Sequence, residues 1–341
     1  MDLNGDGYAD VLSGSWPGEI FLFRGGPDHS YAAGEMIKDQ DGQLINIGGG
    51  IREERNMFAS IRGQQEAGTM ILITGSAEWE TTDEGTFVTY RGKRIKSTPE
   101  KPIATTGSAS TVHPADWDGD GDLDLIIGDI RGNVYLVPNE GTAASYAFGQ
   151  ETQLKADGKP LKVESRAGPC VADWDGDGDL DLLVGSEDGR VSLFRNTGTA
   201  TSPELAAAVE LVPPGEALSG SQAPKEVRRG GRSKICVADW NGDGRPDLLV
   251  GDATNQKPDL PEPTPEEQAQ FDRMREELDS VRQRYGELIE KLSGPSLVRG
   301  EVEHRKVQEE MKQVSQQMGE LQAKLPPEYE RHGWVWLFLR K

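Results

Sequence analysis

Asp116-Trp-Asp-Gly-Asp-Gly-Asp-Leu-Asp124, running straight into Leu125-Ile-Ile-Gly128, is the stretch on which the reading of this chain turns. Three others resemble it: Asp2-Leu-Asn-Gly-Asp-Gly-Tyr-Ala-Asp10, Asp173-Trp-Asp-Gly-Asp-Gly-Asp-Leu-Asp181 and Asp239-Trp-Asn-Gly-Asp-Gly-Arg-Pro-Asp247. Each is followed by an apolar run ending in Gly, namely Val11-Leu-Ser-Gly14, Leu182-Leu-Val-Gly185 and Leu248-Leu-Val-Gly251. Four copies in one Asp/Gly register are not a product of acidic composition. Short apolar runs bounded by turn residues read as buried strands, so the acidic segments are loops between strands.

The loops carry oxygen ligands at positions 1, 3, 5 and 9. These are Asp2, Asn4, Asp6 and Asp10; Asp116, Asp118, Asp120 and Asp124; Asp173, Asp175, Asp177 and Asp181; Asp239, Asn241, Asp243 and Asp247. Position 7 adds a main-chain carbonyl, from Tyr8, Asp122, Asp179 or Arg245. The Gly at position 6 permits the sharp turn. Oxygen-only ligation suits calcium, which accepts six to eight ligands in flexible geometry, and not zinc, which prefers nitrogen and sulfur. Up to four Ca²⁺ ions are expected. An EF-hand begins similarly but needs Glu at position 12 and flanking helices. Position 12 here is Ser13, Ile127, Val184 or Val250, each inside a strand-like run.

The spacing argues for internal repetition. The first Asp of loops two and three lie 57 residues apart, those of three and four 66, and those of one and two 114. Since 114 is twice 57, a further repeat is expected between loops one and two. Met70-Ile-Leu-Ile-Thr-Gly75 has the strand-then-Gly form, but its loop equivalents Gly63, Gln65, Ala67 and Ile71 carry no ligands, so no calcium is expected there. A third element recurs as Gly18-Glu-Ile-Phe-Leu-Phe-Arg24, Gly85-Thr-Phe-Val-Thr-Tyr-Arg91, Gly132-Asn-Val-Tyr-Leu-Val137, Gly189-Arg-Val-Ser-Leu-Phe-Arg195 and Gly333-Trp-Val-Trp-Leu-Phe-Leu-Arg340. Apolar stretches also precede the loops, as in Pro169-Cys-Val-Ala172 and Ile235-Cys-Val-Ala238. Each unit offers about four strands. Four-stranded sheets at this period read as an all-β propeller of about five blades.

These residues resemble the FG-GAP/VCBS repeat family, the calcium-bearing blades also found in integrin α-subunit propellers. The resemblance covers the four loops and the strands after them. It implies a β-propeller with calcium between the first and second strands of a blade. It also implies a binding or adhesion role more than any one chemistry. The chain departs from the pattern in its metal-free second repeat and in a long interruption of the fifth.

That interruption lies between Gly251 and Gly333 and divides the chain into residues 1–252, 253–332 and 333–341. Thr264, Pro265 and Glu267 fit the N-cap, N1 and N3 positions of a capping box. Phe271, Met274, Leu278, Val281, Tyr285, Leu288 and Leu292 then alternate at spacings of 3 and 4, an a/d seam. Ser293-Gly-Pro-Ser296 breaks it, and a second seam follows through Val307, Met311, Val314, Met318, Leu321 and Leu325. The spacing predicts helices over about 265–292 and 297–325, joined as an antiparallel hairpin. The hairpin replaces a second-to-third-strand turn, so it should leave the face opposite the calcium loops, as a docking or oligomerisation arm. Trp16 and Trp79 lie in turns on the hairpin's face and are candidates for ligand contact, for instance with a sugar ring.

Trp117, Trp174 and Trp240 recur inside the loops and are expected to pack blade against blade. His113, Cys170 and Cys236 each precede a loop by three residues, at one level of the innermost strands, and buried small side chains are the expected role there. A disulfide or a soft-metal site remains open for Cys170 and Cys236.

The chain has 341 residues, 58 acidic against 37 basic side chains and a formal charge of −21. Sixteen of the acidic residues lie in the four loops. A nucleic-acid backbone binder needs clustered Lys and Arg, which this balance disfavours. No apolar stretch is long enough for a transmembrane helix. Calcium loops of this kind suit a calcium-rich compartment: extracellular, cell-surface or periplasmic. No signal peptide is visible, and the start at the first ligand of a loop looks truncated, so site one should be the weakest. The chain offers no recognisable catalytic constellation. A polysaccharide lyase or hydrolase on a propeller is the competing reading, with Arg228, Arg229 and Arg232 as its one dense basic cluster. A structural module of a larger surface protein is a third.

Overall fold

The Asp/Gly loops are too tight to do anything but reverse the chain, and the apolar runs on either side therefore pair with each other. The computed structural model describes residues 1–55, 69–98, 100–216, 223–293 and 301–341; for residues 55, 292–293 and 301–305 it describes the backbone alone. The second sheet pairs Thr111–Ala115, Asp124–Gly128, Val134–Val137 and Thr152–Gln153 in chain order. The third sheet repeats that order with Gly168–Ala172, Asp181–Gly185, Val191–Phe194 and Val209–Val212. The fourth pairs Gly231–Ala238, Asp247–Gln256 and Val335–Phe338, with Glu330–His332 on the far end of the middle strand. The first sheet has Val11–Gly14, Ile20–Phe23 and Glu35–Met36, which correspond in register to the second, third and fourth strands of the second sheet and are counted so below. In sheets two to four the same pair closes the loop: Ala115 opposite Asp124, Ala172 opposite Asp181, Ala238 opposite Asp247.

The sheets stack in series, first on second on third on fourth. Leu3, Ile20, Leu22 and Ile47 of the first bury against Leu125, Ile127, Val137 and Phe148 of the second. Trp117, Ile126 and Val134 of the second meet Leu182, Val184 and Phe194 of the third. Trp174, Leu183 and Val191 of the third meet Leu248, Val250 and Trp336 of the fourth. The glycine ending each second strand sets how closely sheets approach. A Cβ on Gly14, Gly128 or Gly185 would overlap the backbone carbonyl of Ser110, Ala167 or Ser233 in the following sheet. Lys234 links sheets farther apart: its Nζ donates to Thr111 Oγ1 at 3.0 Å and lies 3.4 Å from the Ala167 carbonyl oxygen. Burial among protein atoms pulls its pKa down to about 8, although the side chain keeps solvent contact.

The expectation of five four-stranded blades is corrected here. The first sheet packs directly on the second, and the described residues 50–55, 69–98 and 100–106 do not form a blade between them. Thr69–Thr74 is a strand, but it pairs antiparallel with Gly50–Arg55 and parallel with Ile103–Thr106. The Gly85–Tyr90 copy joins Glu78–Thr82 and Lys93–Ser97 in a separate meander. The physical reason is local. The connection after Gly75 is long enough to become a strand itself, and its tight hairpin to Gly85–Tyr90 closes a far shorter loop than pairing Gly85–Tyr90 with Thr69–Thr74 in a blade would. The two small sheets bury Ile71, Ile73, Val88, Tyr90 and Ile103 between them. Glu19, buried in the first sheet, accepts from the Ser76 amide at 3.2 Å and so ties this lobe to the stack. Of the expected ligand-free loop, Gly63, Gln65 and Ala67 lie outside the described residues.

The insertion contains the expected helices, α1 (Pro265–Ser293) and α2 (Glu301–Lys324). The capping box is formed: the Thr264 amide donates to Glu267 Oε2 at 2.8 Å and the Glu267 amide to Thr264 Oγ1 at 3.3 Å. Leu278, Val281 and Leu288 of α1 bury against Val314 and Leu321 of α2, with Tyr285, Val307, Met311, Met318 and Leu325 around them. The ladder runs past the expected boundary at 252, since Asp247–Gln256 carries Glu330–His332 at its far end. The middle strand starts at the acidic loop and leads to the helices at its other end, which sets them opposite the loops.

Candidate metal centre

The first Asp of each loop organises the turn around itself. Asp173 Oδ1 accepts from the Gly176 amide at 2.8 Å, and Oδ2 from Gly178 at 3.1 Å. Asp2 and Asp239 accept from the matching glycines, Gly5 with Gly7 and Gly242 with Gly244. The fifth-position Asp accepts from the amide of position 7, as Asp120 does from Asp122 and Asp177 from Asp179, both at 2.9 Å. Gly119, Gly121, Gly176 and Gly178 have positive φ, which these turns require and L side chains avoid.

The residue at position 3 divides the loops into two kinds. In loops one and four it is Asn. Asn4 Nδ2 donates to Asp6 Oδ2 and Asn241 Nδ2 to Asp243 Oδ2, both at 3.0 Å, so the amide supplies a donor from within. In loops two and three it is Asp. There the carboxylates of Asp116, Asp118 and Asp120, and of Asp173, Asp175 and Asp177, gather with an oxygen of each within 4.8 Å of the others. Asp116 Oδ1, Asp118 Oδ1 and Asp175 Oδ1 are buried and accept no hydrogen bond. Arg195 reaches the other oxygen of Asp175 at 3.6 Å. Orphaned, converging carboxylate oxygens are costly without a positive partner, and an oxygen-coordinated divalent cation fits that donor set.

The Asp2 carboxyl sits below its ordinary range, held chiefly by the Gly7 amide. Asp122 is pushed up by burial and by Asp120, Asp116 and Asp118. Asp124 rises to about 6, mainly through burial, against the pull of the Asn139 and Trp117 amides. Asp181 rises for the same reason.

The ninth-position Asp does work that the ligand pattern did not foretell. Asp10, Asp124, Asp181 and Asp247 are all buried. One oxygen of each accepts from the amide at loop position 2: Leu3 at 2.9 Å, Trp117 at 3.0 Å, Trp174 and Trp240 at 3.1 Å. The other accepts from the amide just past the third strand: Gly25 at 2.8 Å, Asn139 and Asn196 at 2.7 Å, Arg340 at 2.8 Å. The residue clasps the loop to the sheet. The constant spacing of 15 residues from Asp10 to Gly25, Asp124 to Asn139 and Asp181 to Asn196 was a readable signal. Asp252 is a second such clasp: it accepts from the Trp334 amide at 3.0 Å and from Trp336 Nε1 at 2.8 Å. Asp129 does the same for Asn133 in the second sheet, at 2.8 Å.

The remaining candidates are dispersed. Trp16 and Trp79 are both exposed, Trp16 in the first sheet's second turn and Trp79 on the strand Glu78–Thr82 of the lobe. Trp117 and Trp174 are buried between sheets as expected, whereas Trp240 is exposed. Cys170 and Cys236 are free thiols. Cys170 is buried, and its pKa rises to about 11 for that reason; Cys236 is exposed, contrary to the expectation for that strand level. The basic cluster is spent internally: Arg228 pairs with Glu216 at 2.8 Å, Arg232 with Glu187 at 3.2 Å, and Arg229 donates to the carbonyls of Gly189 and Pro213.

Residues 173–250, the third loop through the strand after the fourth, match the family model described as an FG-GAP-like repeat. The chain is 27% identical over 197 residues to integrin alpha-4 of Xenopus laevis, covering 53% of this chain and 18% of that protein. It therefore spans less than a fifth of that relative's length. Among solved structures, a lectin of Agrocybe aegerita, described as recognising non-reducing terminal N-acetylglucosamine, aligns at 17% identity and a TM-score of 0.29, over 74% of this chain and 61% of that one. The complex of BBS1N with ARL6DN aligns at 12% identity and a TM-score of 0.27, over 75% and 76%. Among the described residues no helix is long and apolar enough to cross a membrane.

Proposed function

We propose, from a chain that carries FG-GAP-like repeats, a propeller-like adhesion or binding module whose acidic loops hold calcium and whose surfaces, not a catalytic cleft, do its work. The observation that carries this reading is the set of orphaned carboxylate oxygens on Asp116, Asp118 and Asp175 within three-carboxylate clusters. Loops two and three are the stronger sites. Loops one and four, with an Asn donor already pairing inside them, are weaker. Calcium would offset two of the negative charges in each loop and hold the first strand to the second. Extracellular modules bind calcium at about 10⁻⁴ to 10⁻³ M, and sites of that affinity fill only where calcium is plentiful, which supports a location outside the cytosol. Residues 1–252 and 333–341 act as the body and 253–332 as an arm for docking or oligomerisation, with Trp16 and Trp79 offered to a protein or glycan.

Calorimetric titration with Ca²⁺ and melting with and without EDTA test the metal. Binding heat and a raised Tm are expected, both reduced in Asp118→Ala and Asp175→Ala. A Tm indifferent to EDTA together with no binding heat would sink the calcium reading. Deleting residues 264–325 tests the arm, and unchanged partner capture and unchanged oligomeric mass would remove it from the function.

A further inference from the structure

The three internal junctions define what one face of these sheets is built to contact. At loop position 2 an apolar side chain plugs the gap to the next sheet: Leu3, Trp117 and Trp174 are 2%, 4% and 9% exposed. At the start of the third strand Ile20, Val134 and Val191 face the same way and are fully buried. The fourth sheet carries the same side chains in the same register, and among the described residues no sheet packs beyond it. Trp240 is 63% exposed and Val335 71%. Leu337, matching the buried Leu22 and Leu193, is exposed as well. Gly251, matching Gly14, Gly128 and Gly185, has no backbone of a following sheet against it.

The complementary half of such a junction lies at the other end of the chain. Leu125, Ile127 and Val137 of the second sheet face backwards into the first. Leu182, Val184 and Phe194 of the third do the same into the second. The first sheet's equivalents by register are Val11, Ser13 and Phe23, with Val11 exposed and Phe23 half-buried. Two sheets separate these ends, and the first and fourth sheets share no core cluster.

We propose that the exposed face of the fourth sheet, centred on Trp240, Val335 and Leu337, docks onto the backward face of the first sheet, Val11 and Phe23, of a second copy of this chain. Each copy supplies both halves, so two copies satisfy each other head to tail and leave no such face open. The contact chemistry is that of the internal junctions: an indole plug at the loop, aliphatic side chains along the strand, and a glycine where backbones meet. It is independent of the helical arm.

Sedimentation velocity over a dilution series, in calcium, reads the outcome. A species of twice the chain mass is expected. Trp240→Glu with Val335→Glu should weaken self-association by at least about 30-fold, the scale of one hot-spot truncation. Val11→Glu with Phe23→Glu should do the same. Both pairs alter positions outside the internal junctions, and each variant's melting temperature checks that the chain still folds; Val11→Glu alone serves if the Phe23 change unfolds it. Mixing the two variants restores one intact junction and therefore the double-mass species, which no symmetric patch would do. A wild-type chain that stays single at every concentration overturns the proposal. So does a dimer that survives both pairs of substitutions, or one that disappears only when residues 264–325 are removed.

Discussion

At the scale of single residues, the ninth-position Asp has two separable roles to test. Asp181→Ala removes the acceptor for two buried amides, Trp174 and Asn196. A hydrogen bond to a charged group is worth about 1.5–3 kcal/mol, so a loss of about 3 kcal/mol is expected in chemical denaturation. That loss should persist in EDTA. Asp175→Ala, by contrast, should change only the calcium-dependent part of the stability. The raised pKa of Asp124 gives a pH test. Its folded value, about 6, lies above its ordinary 3.8, so the folded loop holds a proton that the unfolded chain has released. Its stabilisation is complete below about pH 4 and is lost as pH rises through 6 in the metal-free protein. A cation beside Asp118 and Asp120 offsets that loss. The rise in Tm on adding calcium should therefore grow from pH 5 to pH 7, and equal rises at both would contradict the coupling. The convergence of carboxylates in loops two and three was legible because loop chemistry is local. The clasp showed only as a repeated spacing, because its second partner is a main-chain amide 15 residues later that carries no side-chain signature.

At the scale of elements, the first helix was legible almost to the residue, since capping box and a/d seam are both short-range, while the expected break after Ser293 and the expected start of the second helix at 297 lie outside the described residues. Thr264→Ala should cost about 1 kcal/mol of helix stability, read as earlier loss of helical circular dichroism. The lobe at 50–106 was not legible. Doubling the 57-residue period and finding Met70-Ile-Leu-Ile-Thr-Gly75 gave a correct strand with the wrong partners. Strand pairing is decided by what competes nearby, here the hairpin of Glu78–Thr82 with Gly85–Tyr90. A four-residue apolar run carries no information about that competition.

At the scale of the whole molecule, the glycines at sheet junctions make the stacking testable. Gly185→Ala would drive a methyl into the Ser233 carbonyl and should destabilise by about 3 kcal/mol, whereas Gly251→Ala meets nothing of a following sheet and should stay within about 0.5 kcal/mol. Equal effects in thermal melts would mean that the junctions are not set by backbone approach. The stacking order also explains the exposure of Trp240. A residue type that packs between sheets is buried only where a following sheet covers it, and among the described residues none covers Trp240.

The Asp252 clasp makes the fourth sheet indifferent to what its turn contains. Asp129 fastens a return four residues later; Asp252 fastens the equivalent return 82 residues later, with the same pair of atoms. By the logarithmic law of loop closure, lengthening the excursion about twentyfold costs only about 3 kcal/mol, which a few hydrogen bonds to a half-buried carboxylate can offset. The turn is thus a socket. Any segment whose ends meet could be grafted between Asp252 and Trp334, and the sheet would hold it out on the side away from the acidic loops.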